Sequence, residues 1–182
     1  MSRLALVFVL AIWSGLAAAA EPGQTATPSS PMPAPATPTA NDRITAAIIV
    51  NELKALGYAS TVDTDDSGDP RVNMTIDGFD WSIYFYECAS GTRDDRPCNS
   101  YQFYSGYTLK QAVSPDIINK WNTERRYAKA YTIVQRNGSH SARIEIDVRS
   151  AGTGADPART FRIYFNTMKD RAAEFRKAVG FR

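Results

Sequence analysis

The sequence predicts an α+β fold in which an antiparallel sheet is covered by helices on one face. Strand-like stretches follow one another as hairpins instead of alternating with helices, which favours an antiparallel sheet. Three amphipathic stretches with the caps and spacings of helices lie before, between and after the strands. The stretch 142–149 alternates apolar and charged residues, so one sheet face is expected to meet solvent. The predicted order is helix, four strands, helix, two strands, helix.

The folded domain is expected over residues 42–182. Asp42 is the predicted N-cap of a first helix over residues 43–56, where apolar residues recur at spacings of three and four. Gly57 follows the last apolar residue and is expected to end this helix in a left-handed conformation.

Two further helices have strong start signals. The second is predicted from Ser114 to about residue 126, with a proline at its first position. The third begins at Asp156-Pro157, and its apolar residues form one stripe at alternating spacings of four and three. The residues of this stripe are Phe161, Phe165, Met168, Ala172, Phe175 and Val179.

Between the helices, six strands are predicted from composition, alternation and turn residues. Asp77-Gly78 and Asn137-Gly138 are typical of two-residue hairpin turns. The predicted strands cover residues 59–64, 71–76, 79–87, 99–108, 127–135 and 141–149.

The first twenty residues have the pattern of a signal peptide. Arg3 precedes an apolar stretch at 4–16, and residues 18–20 are small alanines suited to a signal peptidase. Cleavage after residue 20 predicts an exported protein, periplasmic or secreted, with no stable membrane span. The alternative is an uncleaved anchor, because the apolar stretch approaches the length that a bilayer requires.

Residues 21–41 are predicted to be a disordered, proline-rich linker. Prolines recur there among alanine, threonine and serine, at positions 22, 28, 31, 33, 35 and 38. Such a segment buries too little apolar area to offset the entropy of ordering, and its prolines favour an extended chain. Its expected role is spacing the domain from a membrane or a neighbour, and the alternative is a ligand for a proline-binding domain.

The charge balance excludes one class of partner. The chain has 21 basic and 19 acidic residues, a net charge of +2, and these charges are interspersed. Nucleic-acid-binding proteins cluster their basic residues on one surface, so no nucleic acid is expected as a partner.

The two cysteines, Cys88 and Cys98, are predicted to form a disulfide that closes the base of a hairpin around residues 89–97. Such a pair persists in the oxidising compartments that an exported protein reaches. The alternative is a reactive or metal-binding thiol pair. Metal sites usually recruit more Cys or His ligands at tighter spacing, which favours the disulfide.

Aromatic residues occupy both faces of the third and fourth strands. If Trp81, Phe85 and Phe103 belong to the core, alternation places three tyrosines on the outer face. These candidate partner-binding residues are Tyr84, Tyr86 and Tyr104. Tyrosine offers contact area and a hydrogen bond at low entropic cost. The alternative is that a loop or the linker covers them.

No catalytic residue, cofactor site or metal site is predicted. The sequence contains no nucleophile elbow, no His-Glu-x-x-His pair and no glycine-rich phosphate loop. The acidic run 63–69 resembles the start of a calcium loop, but Met74 occupies the twelfth position, where the bidentate glutamate is required. The protein is therefore expected not to be an enzyme. The alternative is a hydrolase whose carboxylate pair is assembled only by the fold.

Two segments carry a resemblance to a bacterial family. They are the strand 102–107, which reads QFYSGY, and the segment 119–131, in which Trp121-Asn122 precedes Arg126-Tyr127. Together with the order of elements, they resemble a YbjN-like domain over about residues 42–181. The resemblance implies a regulator of sensory transduction, with a fold similar to that of type III secretion chaperones. Those chaperones bind partner polypeptides and often dimerise, and no catalytic residues come with the family.

The expected function is that of an exported, non-catalytic interaction domain that binds a protein partner in a chaperone-like or regulatory role. A homodimer is compatible with the resemblance. The alternative is a periplasmic small-molecule sensor, with a pocket between helices and sheet lined by Trp81, Phe103 and Trp121. The leader, the linker and the two cysteines depart from the cytoplasmic members of the family.

Overall fold

The computed structural model describes residues 42–181. The predicted signal peptide at 1–20 and the predicted linker at 21–41 lie outside the described residues. Three helices and six strands follow one another in the predicted order. They are α1 (Ala46–Ala55), β1 (Ser60–Thr64), β2 (Pro70–Ile76), β3 (Phe79–Cys88), β4 (Cys98–Leu109), α2 (Pro115–Glu124), β5 (Lys129–Val134), β6 (His140–Arg149) and α3 (Pro157–Ala178).

All six strands join one antiparallel sheet in the order β1-β2-β3-β4-β6-β5. The sequence predicted an antiparallel sheet but not which strands pair. The observed sheet is larger than that prediction stated, because it contains all six strands. The strand β6 lies between β4 and β5, so the second hairpin is attached to the first four strands through its later strand.

The helices cover the inner face of the sheet, where apolar residues alternate with outward-facing polar ones. Phe103 on β4 stacks on Phe161 of α3 with ring centroids 5.6 Å apart, and Trp81 on β3 meets Phe165 edge-on. The whole predicted stripe of α3 is buried. Burying a side chain of this size stabilises the fold by about 1.5–3 kcal/mol, so this helix anchors the core.

The start of α1 differs from the prediction. Thr45, not Asp42, is the N-cap: its hydroxyl accepts a hydrogen bond from the Ile48 N–H at 3.2 Å. Asp42 is buried, and its carboxylate accepts the backbone N–H of Gly152 at 2.9 Å. The aspartate therefore fastens the chain to the end of β6, a contact that local sequence does not reveal.

The two predicted hairpin turns form in different ways. Asp77 and Gly78 both have positive φ, 52° and 80°, as expected for a two-residue turn. At the second turn only Gly138 has positive φ, and the Gln135 N–H donates to the carbonyl of Ser139. This turn is a three-residue loop, so the prediction of a two-residue turn there was wrong. A glycine at the left-handed position serves both turn types.

Two side chains of α2 attach it to the edge strand β5 and to the residue just before that strand. The Trp121 indole N–H donates to the carbonyl of Ala128 at 3.2 Å. The Asn122 amide bonds both the N–H and the C=O of Ala130, each at 2.9 Å. Because β5 is an edge strand, these two backbone groups point away from β6, and Asn122 takes the place of a neighbouring strand.

Candidate functional site

The candidate site is the outer face of the sheet, opposite the helices. Alternation places four tyrosines there, two on β3, one on β4 and one on β5. With three polar residues they line a shallow depression of about 310 Å³. We call this surface the tyrosine face; its residues are Tyr84, Tyr86, Gln102, Tyr104, Tyr131, Arg143 and Glu145.

The structure brings together the three tyrosines singled out from the sequence. Tyr84 and Tyr104 meet edge-to-face with ring centroids 5.9 Å apart. The Tyr86 hydroxyl donates to the Gln102 side-chain oxygen at 3.3 Å, and 40% of Tyr86 remains exposed. A fourth member, Tyr131, was missed. The sequence placed it on a strand but gave no sign that β5 would lie beyond β6 on the same sheet.

A glycine sets the position of the Tyr104 ring. A Cβ atom at Gly106 would lie 3.1 Å from the Tyr104 hydroxyl oxygen, closer than ordinary contact. The Arg143 guanidinium lies 5.4 Å from the centroid of the same ring, within the range of a cation–π contact. The phenol therefore lies low over the sheet, between a residue without a side chain and a cation.

The centre of the tyrosine face contains a buried carboxylate. Only 8% of the Glu145 side chain is exposed, although it points to the solvent side. Lys129 contacts it at 2.9 Å, and the Tyr131 hydroxyl donates to it at 3.3 Å. The lysine also bonds Asp147 at 2.9 Å. Hydrogen bonds to Glu145 and then to Asp147 raise the pKa of Lys129, so this cation stays charged at neutral pH.

Arg71, which lies beside Tyr84, is also paired with a carboxylate. Arg71 makes a bidentate contact with Asp63 at 2.8 and 2.6 Å, and its guanidinium lies 5.9 Å from the Tyr84 ring centroid. The hydrogen bond from Arg71 lowers the pKa of Asp63. The surface is therefore aromatic and polar. Its cations Lys129 and Arg71 are paired with carboxylates, whereas Arg143 forms no ion pair within residues 42–181 and lies over the Tyr104 ring.

Burial raises the pKa of three of the four phenols, those of Tyr86, Tyr104 and Tyr131. Nearby carboxylates act in the same direction on each of them, Asp147 on Tyr86 and Glu145 on the other two. These hydroxyls stay protonated at neutral and mildly alkaline pH. The hydroxyls of Tyr86 and Tyr131 already donate to Gln102 and Glu145, whereas that of Tyr104 makes no hydrogen bond within residues 42–181 and can donate to a ligand.

The family model of YbjN, described as a putative bacterial sensory transduction regulator, matches residues 45–181. The chain belongs to the YbjN family. The match includes every described helix and strand and all four tyrosines of the face. A search of curated proteins finds no match to the chain.

The disulfide Cys88–Cys98 lies at one end of this YbjN domain. The two cysteines are opposite each other on β3 and β4, with Cα atoms 3.9 Å apart. The loop that they close also contacts other elements. The Asp94 carbonyl accepts the Ala47 N–H at the start of α1, and Arg96 bonds Asp69 in the β1–β2 turn. The loop thus ties a helix and a turn to the end of the sheet.

The pocket predicted between helices and sheet is filled in this YbjN domain. Trp81, Phe103 and Trp121 are each at most 5% exposed, and all three rings pack against phenylalanines of α3. A depression of about 500 Å³ occurs elsewhere, between the β4–α2 loop and the end of α3. Its apolar lining includes Leu109, Val113 and Phe181.

The acidic run does not form a calcium loop. The Asp65 carboxylate accepts the N–H groups of Ser67 and Asp69, which closes the β1–β2 turn. Among residues 42–181, no group of three or more His, Cys, Asp or Glu side chains is placed to hold a metal ion. No helix in that range is long and apolar enough to cross a membrane.

Proposed function

We propose that this protein is an exported, non-catalytic interaction domain of the YbjN family that binds a protein partner through its tyrosine face in a regulatory role. The observation that carries the proposal is the convergence of four tyrosines from three strands on one solvent-facing surface. Tyrosine is enriched where proteins bind one another because its ring supplies contact area and its hydroxyl supplies a donor.

Two further features support contact as the role of this surface. Burial raises the pKa of Tyr104, so its hydroxyl is protonated at neutral pH and can donate a hydrogen bond to a partner without a change of charge. The ion pairs with Glu145 and Asp63 restrict the side chains of Lys129 and Arg71. A preorganised surface loses less side-chain entropy on binding than a mobile one.

Export is supported by the leader-like first twenty residues and by the disulfide, which is compatible with an oxidising compartment. Fractionation of the native host tests it. Recovery of the chain in the periplasm or the medium, starting at Glu21 and with no free thiol, is the expected result. Recovery in the cytosol with two free thiols would contradict export.

The binding proposal is tested by replacing Tyr84, Tyr86 and Tyr104 together with serine. The expected result is the loss of partners captured from periplasmic extract, while the circular dichroism spectrum is retained. The matched control is Tyr127→Asn, because Tyr127 is 64% exposed but contacts Tyr164 on α3 instead of the sheet. Capture of the same partners by the triple variant and the wild type would remove the tyrosine face from the proposal.

A further inference from the structure

Arg143 is a cation of the tyrosine face that forms no ion pair within residues 42–181. Arg71 and Lys129, which also lie beside these tyrosines, are each held by a carboxylate. The Arg143 guanidinium instead lies 5.4 Å from the centroid of the Tyr104 ring. Arginine stays charged at every physiological pH and presents its N–H donors in a rigid planar fork. The fork is therefore a site for an anion that the described part of the chain does not supply.

A free hydroxyl lies beside this arginine. Burial raises the pKa of Tyr104, so its phenol is a hydrogen-bond donor at neutral pH, and it makes no hydrogen bond within residues 42–181. A Cβ atom at Gly106 would lie 3.1 Å from the Tyr104 hydroxyl oxygen and 3.8 Å from the Cγ of Arg143. Both side chains therefore pass over the bare backbone of Gly106, and the phenol and the arginine can reach the same bound group.

The carboxylate two residues along β6 does not neutralise Arg143. The oxygens of Glu145 bind Lys129 at 2.9 Å and the Tyr131 hydroxyl at 3.3 Å, and both partners lie on β5. Only 8% of the Glu145 side chain is exposed, so the surrounding side chains hold it in this cluster. On the other side of β6, the Arg143 guanidinium lies over Tyr104 of β4. An anion bound there would pair with Arg143 without displacing Lys129.

A carboxylate is the group that matches these donors. It has two acceptor oxygens, and arginine binds it through two parallel hydrogen bonds. It carries one charge, like the unpaired Arg143, whereas the second charge of a phosphate would be repelled by Glu145 and Asp147. The depression is shallow and lies in the middle of the sheet, so a polypeptide can pass over it. This geometry favours an acidic side chain over a chain terminus.

We propose that the protein partner presents an aspartate or glutamate side chain to the tyrosine face, where Arg143 binds its carboxylate and the Tyr104 hydroxyl donates to it. Because a partner is required, this role of Arg143 rests on the proposed function. Tyr84 and Tyr86 then contact uncharged residues of the same segment. Hydrogen bonds to charged groups contribute more than neutral ones, so removing the guanidinium should weaken partner binding about tenfold to hundredfold.

The test uses the purified protein with ¹³C-labelled tyrosine rings and ¹⁵N-labelled arginine side chains. The probes are acetyl-Gly-Glu-Gly-amide and its neutral counterpart acetyl-Gly-Gln-Gly-amide, at tens of millimolar and equal ionic strength. The glutamate peptide is expected to shift the NMR signals of the Tyr104 ring and of the Arg143 Nε–H, which is buried and so protected from exchange with water. The glutamine peptide should shift them far less. Signals of the buried Tyr101 and Tyr107 should stay in place with both peptides.

Two variants separate the charge of the site from its geometry. Arg143→Gln should abolish the response to the glutamate peptide. Arg149→Gln is the matched control, because Arg149 lies on the same strand with 61% of its side chain exposed, and it should respond like the wild type. Gly106→Ala keeps both donors but places a Cβ against the Tyr104 hydroxyl, so it should weaken the peptide severalfold. Circular dichroism checks that each variant is folded.

Each outcome decides the inference. Equal responses to the glutamate and glutamine peptides, or an unchanged response of Arg143→Gln, would overturn it. Tighter binding of inorganic phosphate than of the glutamate peptide would assign the site to a phosphate group and also overturn it. Partner capture is measured separately. Capture that requires Tyr84, Tyr86 and Tyr104 but not Arg143 would leave the proposed function standing and refute the acidic contact. A glutamate-specific response with capture that does not need these tyrosines would keep the carboxylate site and refute the proposed function.

Discussion

Replacement of Asn122 by alanine tests how the edge of the sheet is held. The Asn122 side chain makes two hydrogen bonds of 2.9 Å to the backbone of Ala130, which is only 4% exposed. Each such bond contributes about 1 kcal/mol net, and the two backbone groups would be left without a partner. We therefore expect the free energy of unfolding to fall by about 2 kcal/mol, with a drop in Tm of the order of 8 °C for a domain of this size.

The assay is urea unfolding under non-reducing conditions, with the slope m used to check that the denatured state is unchanged. Asn119→Ala is the matched control, because Asn119 lies on the same helix and is exposed. Alanine favours helix more than asparagine does, so this control should be neutral or stabilising by a few tenths of a kcal/mol. Asn122→Asp keeps an acceptor for the Ala130 N–H and loses the donor to its carbonyl, and we expect an intermediate loss.

The reasoning would be refuted if Asn122→Ala and Asn119→Ala had the same free energy of unfolding within error. That result would mean that water hydrogen-bonds the backbone N–H and C=O of Ala130 as well as the Asn122 amide does. A loss much larger than about 6 kcal/mol would also contradict it, because two unsatisfied backbone groups at about 1–3 kcal/mol each do not supply so much.

Three further predictions concern the disulfide, the core and alkaline pH. Replacing Cys88 and Cys98 together with serine should lower the free energy of unfolding by about 2.5–3 kcal/mol, because the unfolded chain is no longer restricted by the closed loop. The same urea assay measures this change, and no change would mean that the loop is already ordered by its other contacts. Phe103→Ala should cost about 3–5 kcal/mol, because this fully buried ring stacks on Phe161, and Phe103→Leu should cost clearly less. Burial raises the pKa of Tyr101, whose hydroxyl has no hydrogen-bond partner among the described residues. The protonated phenol therefore stabilises the folded state in full below a pH of about 10, the pKa of tyrosine in the unfolded chain. As the pH rises further, this stabilisation is lost by about 1.4 kcal/mol per pH unit for this one group. Tyr101→Phe should leave stability at pH 7 unchanged or higher and reduce the alkaline loss; an unaltered pH profile would show that other groups cause it.

Most of the fold was predictable because its signals are local. The apolar stripe of α3 repeats with the helical period, and the alternation in β6 separates a buried side from a solvated one. The same alternation correctly placed Tyr84, Tyr86 and Tyr104 on the outer face, since successive strand residues point to opposite sides. Their role in binding a partner stays a prediction.

Apart from the length of the turn at Asn137-Gly138, the errors arose where a residue's partner is distant in sequence. Asp42 has the composition of a helix cap, but its carboxylate bonds Gly152, more than a hundred residues later. The three aromatic residues predicted to line a pocket instead meet α3, because nothing local shows how closely a helix will pack on a sheet.

Periodicity, caps and turn residues by themselves determined the elements of this protein, their order and the side of the sheet to which each residue points, because these depend on neighbours a few positions away. Only the tertiary structure decided the order of the strands, the place of Tyr131 beside the other tyrosines and the burial of Glu145 among them. These features depend on which distant segments pair, and the free energy that selects the pairing belongs to the packed sheet and helices together.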